Sequence, residues 1–198
     1  MFILKNVTKS YENRPIINDL SLQFTEDKHC IFGPNGCGKS TLLMLMSGLE
    51  SLSSGHITFN DQTVSSKNVK YKIGVSSDKI LFPEFLTPLQ LLTFHCTQYH
   101  CQFPDDLIQN LDFTPQLSTP VGQLSLGNLK KTSLLLALCH QPLSLLLDEP
   151  TTGLDNKSKH WLVDYLSDYN GQIIVASHEK IFISNLTYKQ INLIELNQ

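Results

Sequence analysis

Gly33, Gly38, Lys39 and Ser40 fall into the spacing G-x-x-x-x-G-K-[ST], and no other stretch constrains the chain as much. The apolar pair Ile31-Phe32 precedes it, and a helical-looking segment, Leu42 to Leu49, follows. A strand must therefore run into a tight loop and out into a helix, the arrangement by which a parallel α/β sheet presents a loop at its edge. Across Gly33-Pro34-Asn35-Gly36-Cys37-Gly38, the glycines let successive N–H groups turn inward as an anion nest at a helix N-terminus. Lys39 is expected to bridge phosphates as a point charge, Ser40 to ligate Mg2+, and Thr41 to reach a phosphate from one residue further on.

A second stretch, Leu143-Ser144-Leu145-Leu146-Leu147-Asp148-Glu149-Pro150, is an apolar run ending in paired carboxylates. It reads as a parallel strand buried on both faces. Ligands of open α/β sheets bind beyond the carboxyl ends of strands, so the run delivers Asp148 and Glu149 beside the loop that follows Phe32. There Asp148 is expected to hold the Mg2+ shell, since hard cations take oxygen ligands, and Glu149 to orient and activate an attacking water. Gln172 to Ser177 reads as another buried strand, whose end delivers His178 to the same edge.

Around these anchors the pattern is mixed. Phe2 to Val7 and Leu20 to Phe24 have strand character with a turn at Asn13-Arg14-Pro15, which predicts an N-terminal antiparallel sheet. Tyr11 stands just before that turn, where an aromatic face could stack on a base. Helices are predicted from about Leu89 to Tyr99 and from Leu129 to Cys139. Lys130-Lys131 is read as a solvated or phosphate-facing edge of the second helix.

With 198 residues and 41% hydrophobic composition, one compact domain with a sizeable core is expected. The balance of 15 basic against 18 acidic residues gives no basic field to track nucleic acid, which is excluded as a partner. No apolar run is long enough to span a bilayer and the N-terminus lacks the pattern of a secretion signal, so a cytoplasmic location is expected. The five cysteines are odd in number and are expected to be reduced thiols.

Taken together, the chain resembles an ATP-binding subunit of an ABC transporter over nearly its full length. Gly33 to Thr41 is similar to Walker A, Leu145 to Glu149 to Walker B, and Leu124-Ser125-Leu126-Gly127-Asn128 to the family signature. Gly153-Leu154-Asp155 is similar to the D-loop and His178 to the switch histidine. The resemblance implies an α/β P-loop fold of ABC type: a mostly parallel core, an N-terminal antiparallel β-subdomain, and a small helical subdomain at about residues 78–127. It implies a Mg2+-dependent ATPase in which Tyr11 stacks on adenine, Glu149 is the catalytic base, and His178 contacts the γ-phosphate. Ser125 and Gly127 would serve the site of the second subunit in a head-to-tail homodimer, and Asp155 would be a nucleotide-binding residue of the D-loop.

The resemblance further implies separately encoded transmembrane permease subunits, a place on the cytoplasmic face of the membrane, and, from the short helical segment, an exporter similar to the haem-exporter ATPase of cytochrome c maturation. The alternative is a soluble ABC-type ATPase acting on a non-membrane machine. Two departures stand out. Asp78 occupies the position where the family usually has a glutamine contacting Mg2+; it keeps an oxygen ligand on a shorter, charged side chain. Leu126 replaces a glycine in the signature and removes backbone freedom. His95-Cys96 and His100-Cys101 repeat within the helical segment, where Cys96 and His100 share a helix face, so a metal contact is open beside the plainer reading of small buried thiols.

Overall fold

The run ending at Asp148 is a strand in the middle of a parallel sheet, and it is buried along its whole length, as its unbroken apolar character requires. The protein is described from a computed structural model covering residues 1–12 and 14–196; Asn13, part of the expected turn, lies outside the described residues. In chain order the elements are β1 (Phe2–Tyr11), β2 (Arg14–Phe24), β3 (Lys28–Phe32), α1 (Lys39–Met46), β4 (Ser54–Phe59), β5 (Gln62–Thr63), α2 (Lys67–Lys70) and β6 (Ile73–Ser76). There follow α3 (Pro88–Tyr99), α4 (Asp105–Asn110), α5 (Leu126–Leu138), β7 (Ser144–Asp148), α6 (Asn156–Ser167), β8 (Gln172–Ala176), α7 (Lys180–Ile183), β9 (Lys189–Asn192) and α8 (Leu193–Leu196).

Two sheets result. The first is antiparallel in the order β2-β1-β4-β5, with Tyr11 opposite Arg14 at the turn. The second is parallel in the order β6-β7-β8-β3-β9. Its register matters for the site: Ile31 and Asp148 both stand opposite Ala176, and Leu147 stands opposite Ser76. The carboxyl ends of β3, β6, β7 and β8 are therefore level, and the residues that follow each of them share one edge.

Alternation along the parallel strands sorts the core into two faces. Leu146 and Ile174 point to the side where Leu42, Leu45 and Met46 of α1 meet Phe2, Leu4 and Phe59 of the antiparallel sheet. Being enclosed by both sheets explains why α1 is buried nearly all round. Leu145, Leu147, Ile173 and Val175 point the other way, against Leu134 and Leu138 of α5 and Leu162 and Leu166 of α6. A third cluster, Leu92, Ile108, Leu111, Phe113 and Leu135, fastens α3 and α4 onto α5. Among the described residues, no helix is long and apolar enough to cross a membrane.

Candidate functional site

The loop after β3 is shaped by left-handed backbone at Gly36 (φ +83°) and Gly38 (φ +103°). At Gly38 a side chain would be strained by this conformation, and an added Cβ would crowd Ile17 Cδ1 at 3.0 Å. Helix α1 begins at the next residue without a side-chain cap, which leaves its first N–H groups directed into the loop. Lys39 arches back over the backbone, its Nζ donating to Gly33 O at 2.8 Å and Pro34 O at 3.3 Å. Asn35, Gly36, Gly38, Ser40 and Thr41 line a cavity of about 280 Å3 with Lys39 on one wall and Asp148 and Glu149 on another. Tyr11 lies at its mouth, 41% exposed.

The acidic wall is built by the level strand ends. Ser77, following β6, donates its hydroxyl to Asp148 Oδ2 at 2.8 Å, while Asp148 Oδ1 is buried with no partner among the described residues. A buried carboxylate oxygen left open, on the wall that faces Ser40, is a donor set suited to a hard divalent cation. Glu149 departs from the strand at φ +43°, a conformation that a side-chain-bearing residue holds only when its surroundings impose it. Those surroundings are visible: its N–H donates to Ala176 O at 2.8 Å, its Oε2 accepts from Ser177 Oγ at 2.9 Å, and its Oε1 stands 2.8 Å from His178 Nδ1. The residues after β7 and β8 thus hold each other at the cavity edge.

Several expected participants are placed differently. Asp78 does not line the cavity; its carboxylate is 2.7 Å from Lys130 Nζ. The reason is that Lys130 is only 4% exposed and needs an anionic partner, which the Asp78 carboxylate provides. Lys79, next in sequence, turns into the cavity instead and donates to Thr41 Oγ1 at 2.8 Å. Lys131 is likewise buried rather than solvated, bonded to Leu111 O and to Asp155 Oδ2, each at 2.7 Å. Both lysines are covered because the segment between β6 and α5 folds over them, which helical spacing alone does not reveal.

Asp155 therefore caps α6 through Ser158 N and pairs with Lys131, away from the cavity. Those bonds, the one from Lys131 first, hold its carboxyl well below the usual range. Ser125 caps α5 through Asn128 N, and Gly127 lies so close to Gly153 that an added Cβ would be 2.3 Å from Gly153 O. Neither lines the cavity of its own chain. The Cys37 side chain packs toward Gly33 and the core, not into the cavity. Tyr11 donates its hydroxyl to Glu50, and Lys9 Nζ sits 4.8 Å from its ring centre, so one ring face already carries a cation.

Residues 17–152 match the family model described as ABC transporter. The chain belongs to the ABC transporter family, as one of its ATP-binding domains. Among curated relatives, this ABC cassette is 33% identical to the uncharacterized ABC transporter ATP-binding protein YhcH of Bacillus subtilis, over 88% of the chain and 61% of that protein. It is 32% identical to the ATP-binding protein Uup of Caulobacter vibrioides, over 96% of the chain and 31% of Uup. It is 27% identical to the energy-dependent translational throttle protein EttA of Mycobacterium tuberculosis, over 94% of the chain and 39% of EttA. The cassette thus spans between 31% and 61% of these relatives' length. In fold it is similar to the ATP-binding cassette MJ0796 in a dimeric post-hydrolysis state bound to ADP and Pi, with a TM-score of 0.82 at 21% identity over 98% of this chain and 95% of that one. The structure titled ATP binding subunit of ABC transporter aligns with a TM-score of 0.78 at 20% identity, covering 90% and 79% of the two chains.

Proposed function

We propose that this ABC cassette hydrolyses Mg-ATP and uses the cycle to drive export through separately encoded membrane subunits. The observation that carries the reading is the meeting of Lys39, the open Asp148 oxygen and the Glu149–His178 pair around one cavity. Lys39, Ser40, Thr41 and the loop N–H groups hold the phosphates, and Tyr11 offers its remaining ring face to the adenine. Ser40 and Asp148 would hold Mg2+, which would supply charge neutralisation for the phosphoryl oxygens. Glu149 aligns a water and takes its proton, and His178 steadies Glu149 and reaches the terminal phosphate. Asp78 has no part in the metal shell of this reading.

A second copy, head to tail, brings its Ser125 and Gly127 to the phosphates, which explains why neither lines the cavity of its own chain. We read residues 1–198 as one cassette, with the segment of about 78–127 as its helical insert. That insert exposes Leu81 (88%) and Phe85 (80%), apolar side chains suited to a membrane subunit. The similarity to EttA favours a second reading, a cassette that works on a non-membrane machine.

Phosphate release by the purified chain with and without Mg2+, together with capture of partners from membranes and from cytosol, separates these readings. Absence of Mg2+-dependent release would overturn the ATPase. Recovery of ribosomal rather than permease partners would overturn the transport reading and leave the ATPase standing.

A further inference from the structure

Histidine and cysteine are adjacent four times: His29-Cys30 lies within β3, and the other three, His95-Cys96, His100-Cys101 and Cys139-His140, lie away from the loop cavity. The fold brings them together. Leu92 of α3 packs with Leu135 of α5, so the two helices lie side by side and end near one another. The chain then reverses at His100, in left-handed conformation (φ +53°), and Cys101 N donates to Cys96 O at 3.1 Å. As a result the thiol sulfurs of Cys96, Cys101 and Cys139 all lie within 4.8 Å of one another. Cys139 is shared with a second triad, in which ring nitrogens of His95 and His140 are also within 4.8 Å of each other and of its sulfur.

The surroundings suit a cation. Beyond bonds among themselves, Cys96 Sγ reaches Gln102 O at 3.5 Å and Cys139 Sγ reaches Leu136 O at 3.6 Å, both weak contacts. His95 Nε2 and His140 Nδ1 are 3.1 Å apart, and His140 Nε2 is buried without a partner among the described residues. A cavity of about 710 Å3 opens onto Cys101, Cys139 and His140, and Asp105 and Asp106 on its wall favour entry of a positive ion. Small buried thiols would pack a core without any metal, but a core gives no reason to set Cys101 on the wall of an open cavity.

We propose that Cys96, Cys101 and Cys139 form a three-thiolate site for Zn2+, with the fourth position taken by water from the cavity. Zn–S bonds of about 2.3 Å place tetrahedral sulfurs roughly 3.8 Å apart, so the thiols close in by an ångström or less. Binding exchanges the three thiol protons for the metal, with no change of oxidation state. The bound ion clamps the end of α3 to the end of α5, the helix whose other end carries Ser125 and Gly127.

The test is titration of the full, reduced, metal-free chain with Co2+, followed by displacement with Zn2+. We expect one equivalent to give the near-ultraviolet thiolate-to-cobalt band and tetrahedral visible bands, both abolished by Zn2+. Cys101→Ser should remove about a third of the charge-transfer intensity and weaken binding about 100-fold or more, while Cys30→Ala leaves both intact. Cys139→Ser should act likewise; if it fails to fold, Cys101→Ser, at the cavity wall, decides alone. No thiolate band at saturating Co2+, or a band unchanged in Cys101→Ser, overturns the site.

Discussion

His178 Nδ1 lies 2.8 Å from Glu149 Oε1, and Ser177 Oγ holds the other carboxylate oxygen at 2.9 Å. The residue read as the general base is thus oriented from β8 while its own backbone belongs to the end of β7. Glu149→Gln keeps the size and an accepting oxygen but removes the proton acceptor. Phosphate release should fall by about 10²- to 10⁴-fold while equilibrium ATP binding stays within a few-fold of the parent. Loss of binding in parallel with turnover would assign Glu149 to holding the loop instead.

Lys79 is the cation that sequence reading passed over. With its ammonium 2.8 Å from Thr41 Oγ1 on the wall of the cavity read as the phosphate site, Lys79→Met should weaken ATP binding by about 1–2 kcal/mol, and the loss should shrink as salt is raised. Asp78→Asn, outside the cavity, should leave nucleotide affinity unchanged and lower the unfolding midpoint, because it strips the buried Lys130 of its carboxylate. Calorimetric titration with ATP and denaturant unfolding check the two variants side by side.

Gly127 admits no side chain. An added Cβ would lie 2.3 Å from the Gly153 carbonyl, a backbone atom that moves only with its whole loop. Gly127→Ala should cost about 1–3 kcal/mol in denaturant unfolding and should impair turnover more than binding of ATP to the isolated chain.

Asp155 makes stability depend on acidity. Its carboxyl titrates below its unfolded value of 3.8, chiefly because Lys131 donates to it, so the folded state binds fewer protons than the unfolded one at mildly acid pH. The contribution is complete above about pH 4 and is lost as pH falls through the lowered folded value. Because the side chain is 53% exposed, solvent screening limits the effect of Asp155→Asn to about 1 kcal/mol at neutral pH. Unfolding curves of the variant and parent should converge as the pH drops below 4.

What could be read in the sequence was whatever short-range pattern dictates. The glycine-lysine loop, the apolar run into Asp148 and the strand that presents His178 needed only neighbouring residues, and the structure forms each of them. Helix α6 was passed over although Asp155 as a cap, with Trp161, Leu162, Tyr165 and Leu166 at helical spacing, marks it. Lys130 and Lys131 looked like solvated charges because their burial depends on docking by a segment some distance away in sequence. Asp78 and Lys79 exchanged places for a related reason: one residue of loop phase decides which faces the phosphates, and the buried ammonium of Lys130 sets that phase.

Lys130 also ties two elements of the fold together. Its ammonium bonds both the Asp148 carbonyl, at 3.1 Å, and the Asp78 carboxylate, at 2.7 Å, joining the helix of the signature to the end of the strand carrying the acids. Any swing of that helix must drag both attachments along or part with them together, since a sunken cation deprived of its partners costs several kcal/mol. The two bonds thus act as one latch: displacing α5 from β7 would mean giving up both at once.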